Sequence, residues 1–214
     1  MSFELYNTLT AYGDQFQLNK DLNPYNVLKQ LEPYERHYTR YNPRTVNNRW
    51  GLSITNLNGK LGAGPDLDSL LQYNKEHHTK LTELDFVTPT PIYDIFKEQL
   101  DPIKEHLIRC HVLQLRPGGY FPPHIDSYGT DIDSFRLLIP LENMNPTHSY
   151  MIMEDRVLHW NYGSTYFVNT CKQHLLFNCG YDNMTMVVLN VLLNEESASS
   201  VSYTHLRAHE THEH

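Results

Sequence analysis

The spacing of hydrophobic residues changes near Ile108. Before that point several stretches repeat at helical intervals. Asn23-Pro24 followed by Val27, Leu28 and Leu31 predicts a helix with Asn as its N-cap and Pro at its first position. It should stop before Pro33, because the residue preceding a proline resists helical geometry. Trp50 to Leu57 predicts a strand, ended by the turn-forming pair Asn58-Gly59. Asp68 to Leu81 predicts a second helix. Ile92, Ile95, Phe96, Leu100, Ile103 and Leu107 predict a third, which Pro102 must break or kink.

After Ile108, short runs of β-branched, aromatic and Leu residues alternate with turn signals. They predict strands near 110–116, 120–125, 134–141, 149–153, 156–159, 164–169, 173–178 and 184–193. Strands at this density predict a mainly β fold, a double-stranded β-helix (cupin-like jelly roll) with N-terminal helices and strands packed on it. Residues 1–107 are then an extension of the same domain and 108–196 the catalytic core. Residues 197–214 are expected to form a disordered tail.

Composition narrows the setting. A chain of 214 residues suffices for one domain with a real core and is short for two. The formal charge of −8 gives no reason to expect nucleic acid or an anionic membrane as a partner. Basic residues between Arg36 and Arg49 are interleaved with Tyr, Asn and Pro and read as a solvated loop or lid. Cys110, Cys171 and Cys179 form no C-x-x-C pair, a poor disulfide framework that fits a reducing cytoplasm. The N-terminus lacks the basic and apolar regions of a signal peptide, and no apolar run approaches the ~18 residues of a membrane span.

The tail has a texture of its own. Val201 to Thr211 resembles the translation of a transposon-type sequencing adapter, which would fit an open reading frame assembled from metagenomic or viral DNA. It is set apart from the fold, in preference to a His-rich metal tract.

The chemistry concentrates at Arg116 to Asp126, RPGGYFPPHID. Pro117-Gly118-Gly119 forces a turn, and Pro122-Pro123 stiffens the approach to His124. His124 and Asp126 are two positions apart, so on an extended backbone both side chains leave one face. His174, in the seventh predicted strand, is the third candidate ligand. Two histidines and one carboxylate occupy one face of a metal's octahedron and leave the other open, a geometry associated with non-haem Fe(II) oxygenases. His111, His148 and His159 read as structural histidines, and Trp50, Tyr120 and Trp160 as core or pocket wall. Cys171 and Cys179 read as buried small apolar residues.

Three places resemble the aspartyl/asparaginyl β-hydroxylase family of Fe(II)- and 2-oxoglutarate-dependent oxygenases. They are Pro117-Gly118 leading to Pro123-His124, the strand Arg136-Leu137-Leu138-Ile139-Pro140-Leu141, and Trp160-x2-Gly163-x10-His174. Together they cover roughly 85 residues in the family's order. The resemblance implies a dioxygenase that uses Fe(II), 2-oxoglutarate and O2 to hydroxylate a C–H bond, with His124, Asp126 and His174 as metal ligands. It implies a polypeptide or amino-acid substrate, with aspartyl or asparaginyl side chains foremost. The chain departs from the family at Met184, where an arginine would pair with the distal carboxylate of 2-oxoglutarate. Arg136 is the first replacement and Arg116 the second. That departure keeps two alternatives open: a cupin-like metalloenzyme that does not use 2-oxoglutarate, and a non-catalytic viral or binding jelly-roll protein.

Overall fold

The change of hydrophobic period marks a change of architecture. In the computed structural model, which describes residues 3–62, 64–126 and 133–210, the first hundred residues form short elements. In chain order these are α1 (Phe3–Thr10), β1 (Gln15–Asp21), α2 (Pro24–Leu31), β2 (Thr39–Arg40), β3 (Arg49–Ser53), β4 (Thr55–Asn56), α3 (Leu70–His77), β5 (Thr88–Pro89) and α4 (Lys97–Leu100). There follow β6 (Leu107–Leu115), β7 (Tyr120–His124), β8 (Ser134–Glu142), β9 (Ser149–Met153), β10 (Arg156–Val157), β11 (Ser164–Val168), β12 (His174–Asn178), β13 (Met184–Leu192) and α5 (Glu195–Glu210).

The strands make a double-stranded β-helix. A seven-stranded major sheet runs β1-β11-β8-β13-β6-β3-β2, a four-stranded minor sheet runs β10-β9-β12-β7, and β4 pairs with β5 apart from both. Strand alternation builds two apolar layers. Along β13, Met186 and Val188 join Leu113, Leu138 and Met151 in the barrel interior. The intervening Val187, Leu189 and Val191 pack outward with Phe96, Leu100 and Phe167 under the helices. Because the central strands are covered on both faces, they read as continuous apolar runs. Fully burying each such side chain stabilises the fold by ~1.5–3 kcal/mol.

The early elements depart from the simple pattern. The Asn23 side chain accepts from Asn26 N–H and caps α2 as expected. The α-helix ends at Leu31, before Pro33 as expected, and Pro33 sits in the first turn of the 3-10 segment Glu32–His37 that follows, where its missing N–H costs nothing. The Trp50–Leu57 run splits into β3 and β4, which join different sheets. The long third helix is a chain of short turns, with α4 between 3-10 segments Tyr93–Phe96 and Asp101–His106. Strands β1, β2 and β5 and helix α1 were not predicted. The tail differs most. Residues 195–210 are helical, and α5 buries Ala198 and Val201 (both 2% exposed) against the outer layer, so the segment from 197 is not disordered there. Residues 211–214 of the expected tail lie outside the described residues.

Candidate metal centre

His124 ends β7 and His174 begins β12, and the two are direct partners in the antiparallel ladder. Their rings stand 4.3 Å apart between centroids. Just past His124 the chain leaves the ladder, and the Asp126 N–H donates to Thr170 O at 3.0 Å. That bond brings the carboxylate back, so Asp126 Oδ1 lies 3.5 Å from His124 Nε2. Each of the three residues offers one ligand atom, and these atoms all lie within 4.8 Å of one another. Asp126 thus reaches His124 from beyond the end of β7, and β12 supplies the third group.

The two rings are oriented by backbone. His124 Nδ1 lies 2.7 Å from Pro122 O, and His174 Nδ1 lies 2.9 Å from Lys172 O. A carbonyl oxygen only accepts, so each Nδ1 carries a hydrogen, and in the neutral ring each Nε2 keeps its lone pair. This is the tautomer a metal needs. The two rings differ electrostatically. The contact with Asp126 raises the His124 pKa above the ordinary imidazole value, while burial lowers that of His174. Burial works to raise Asp126, but the His124 bond and the neighbouring Arg136 and His174 outweigh it and hold the carboxyl well below its usual range. The donor set, two neutral imidazoles and an ionised carboxylate, fits a divalent first-row ion.

The triad opens on a cavity of about 120 Å³ between the two sheets. Part of its wall is apolar, with Leu113, Leu138, Met151, Leu176, Met186 and Val188. Arg136 lies on the cavity wall, because its parity on β8 matches inward-facing Leu138 rather than outward-facing Leu137. It is 18% exposed, and its Nε lies 3.4 Å from Asp126 Oδ2. The structure does not bring Arg116 there. Its guanidinium stacks 4.1 Å from the Trp50 ring centroid and binds Gln114 and Glu35. Met184 is buried in the barrel interior and offers no charge.

Several cavity residues were not foreseen. His111, expected to be structural, is 6% exposed, lines the cavity and has no partner for Nδ1. Burial, with the nearby Arg109 charge, pushes its pKa down to about 3. Arg109 also lines the cavity, but its guanidinium is occupied by Glu83 Oε1 (2.9 Å) and by the carbonyls of Pro65, Asp66 and Asp68. It sits in a left-handed conformation (φ 44°) at a bulge in β6, and bulges recur beside active sites. Tyr41, from the segment read as a solvated loop, is another wall residue. Of the residues read as blandly buried, Trp160 is in the inner core, but Tyr120 and Cys179 are exposed, and Cys171 only partly buried. Cys110 is the buried thiol. His159 is exposed and His148 half-buried, both away from the triad.

No family model and no curated protein matches the sequence. Among solved structures, the chain is similar to a prolyl hydroxylase from Trichoplax adhaerens in complex with a hypoxia inducible factor peptide fragment. The two share 14% identity over 94% of this chain and 97% of that one, with a TM-score of 0.51. A prolyl-4-hydroxylase from Pseudomonas putida (14%, 89% and 100%, TM-score 0.48) and a viral collagen prolyl hydroxylase from Paramecium Bursaria Chlorella virus-1 (8%, 87% and 99%, TM-score 0.48) also align. At these identities the likeness to the first is one of fold.

Proposed function

We propose that the protein is an Fe(II)- and 2-oxoglutarate-dependent oxygenase that hydroxylates a C–H bond of a polypeptide or amino-acid substrate. The observation that carries this reading is the triad, three donors of the facial type on adjoining strands, with both histidines held as Nε2 donors by backbone carbonyls. With iron, 2-oxoglutarate and dioxygen bound, such a site supplies an oxidant able to attack a C–H bond, releasing succinate and carbon dioxide. The chain's own groups do the rest. His124, Asp126 and His174 hold the ion from one side. The apolar wall from Leu113 to Val188 keeps water away from the reacting centre. Arg136, on the cavity wall beside Asp126, offers its guanidinium to a carboxylate of the cosubstrate. The sequence resemblance points to aspartyl or asparaginyl side chains as the group hydroxylated.

The test is turnover of 2-oxoglutarate to succinate with Fe(II), screened against peptide and free amino-acid pools. Absence of succinate from an iron-loaded, folded protein would overturn the reading. One observation favours a second reading, a cupin-like metalloenzyme without 2-oxoglutarate: Met184, where the resemblance implies an arginine for the distal carboxylate, is a buried core residue, and Arg109 is already occupied. Anaerobic titration of the Fe(II) protein with 2-oxoglutarate separates the two. Chelation gives a weak visible charge-transfer band in the first case and none in the second.

A further inference from the structure

The minor sheet turns an apolar face outward. Alternation along its strands puts Met151, Met153 and Leu176 in the barrel interior. Tyr150 and Ile152 on β9, Leu175 and Phe177 on β12, and Tyr120 and Pro122 on β7 therefore stand on the other side. Val157 on β10 pairs with Ile152 and extends the face. Tyr120 is 45% exposed and Val157 38%, and the other five keep contact with solvent. None of the seven is charged. They fall into two rows across the strands. Tyr120, Phe177 and Tyr150 make an aromatic row, with the Phe177 and Tyr150 rings stacked 5.1 Å apart. Pro122, Leu175, Ile152 and Val157 make a row of smaller side chains. The ends of the face differ in charge. Beyond the smaller row stand Lys172, Arg156 and Glu154, the first two paired with Asp14. Beyond the aromatic row stands the exposed Asp182, in the turn that Asn178 closes.

We propose that this face docks a second copy of the chain, sheet against sheet, about a two-fold axis lying between the two rows. Rotation about that axis exchanges the rows. The aromatic row of each copy then lies on the smaller side chains of the other, so large meets small, as interdigitating layers require. The rotation also exchanges the ends, so Asp182 of each copy meets the end that holds Lys172 and Arg156 of the other. One patch thus supplies both halves of the contact, which is the condition for an isologous dimer. Strand spacing and rise give the four-stranded face an area of roughly 300 Å². A stable interface buries about 800 Å² per partner. The seven residues are therefore the apolar centre, and the charged ends are the rim. An interface of this size gives a dissociation constant on the order of 10 µM. The metal centre lies on the inner side of the same sheet, and the dimer does not rest on the oxygenase reading.

The test is sedimentation equilibrium of the full-length protein over a range of concentrations. The weight-average mass should rise from that of one chain towards that of two. Phe177→Asp places a carboxylate in the apolar centre of both copies and should weaken the dimer at least ~10-fold. Asp182→Lys should weaken it severalfold. Tyr25→Asp, at a tyrosine 72% exposed on α2, should leave it unchanged. Should Phe177→Asp not fold, Tyr120→Asp and Val157→Asp change more exposed positions of the same face. The mass of a single chain at every concentration up to ~500 µM overturns the proposal. A dimer indifferent to charges placed at Phe177, Tyr120 and Val157 overturns it as well, because association then uses another surface.

Discussion

Replacement of Arg136 by alanine removes the cation nearest the triad without removing a metal donor. Arg136 is mostly buried, with Nε 3.4 Å from Asp126 Oδ2, longer than the ~2.7–2.9 Å of a tight charge-assisted bond. The guanidinium stands on the cavity wall, within reach of a carboxylate bound beside the triad. Truncating one partner of a buried ion pair costs roughly 3–5 kcal/mol. Partial solvent contact discounts that figure, and its lower side, ~2.7 kcal/mol, corresponds to ~100-fold in a binding constant. The apparent 2-oxoglutarate KM of Arg136→Ala, read from succinate formation, should therefore rise at least ~100-fold. Fe(II) affinity should hold or tighten, because the lost guanidinium repelled the ion. Arg136→Lys should restore only part of the loss, since a point charge cannot reproduce the planar fork. An unchanged KM would refute the assignment. Arg116 would not inherit the role, because it is stacked on Trp50 outside the cavity.

Loss of a metal donor is more severe: His124→Ala and His174→Ala should each abolish Fe(II)-dependent turnover with the circular dichroism spectrum unchanged, and wild-type activity in either would remove that residue from the centre. Stability should fall in acid through His111. Its folded pKa of about 3 lies below the unfolded 6.5, so the unfolded chain takes up the proton first; the stability is present above pH 6.5 and is lost as pH falls towards 3. A melting temperature independent of pH between 6.5 and 4 would contradict this, and His111→Phe should flatten the slope. Truncation after Ser200 removes the buried Val201, worth ~1.5–3 kcal/mol by its apolar area, and should lower the melting temperature by several degrees; an unchanged value would show that α5 does not pack in solution.

The sequence made the core strands legible because each lies in the interior and keeps a strict face. Periodicity of two places Arg136 with Leu138, and β8 presents that face to the cavity. Asp126 lies past the end of the β7–β12 ladder and is placed beside His124 by its N–H bond to Thr170 O, while His174 is the ladder partner of His124. The N-terminal hundred residues were less legible. Their helices are short and closed by 3-10 turns, where i, i+4 spacing no longer describes the packing. In β1, Phe16 and Leu18 do alternate with polar residues, but the run is two apolar side chains long.

The polar wall opposite the triad depends on contacts that no local pattern reports. Arg109, His111 and Gln114 interrupt the apolar run of β6, and Asn190 interrupts that of β13. Such interruptions are costly in a core unless each group is satisfied. Arg109 meets that condition through Glu83 and three carbonyls contributed by residues 65–68, more than 40 positions away in sequence. Asn190 meets it on one side only, through Glu83 and Arg109, and His111 leaves Nδ1 unmet. A fold that spends core positions on half-satisfied polar groups beside a metal triad gains nothing in stability from them.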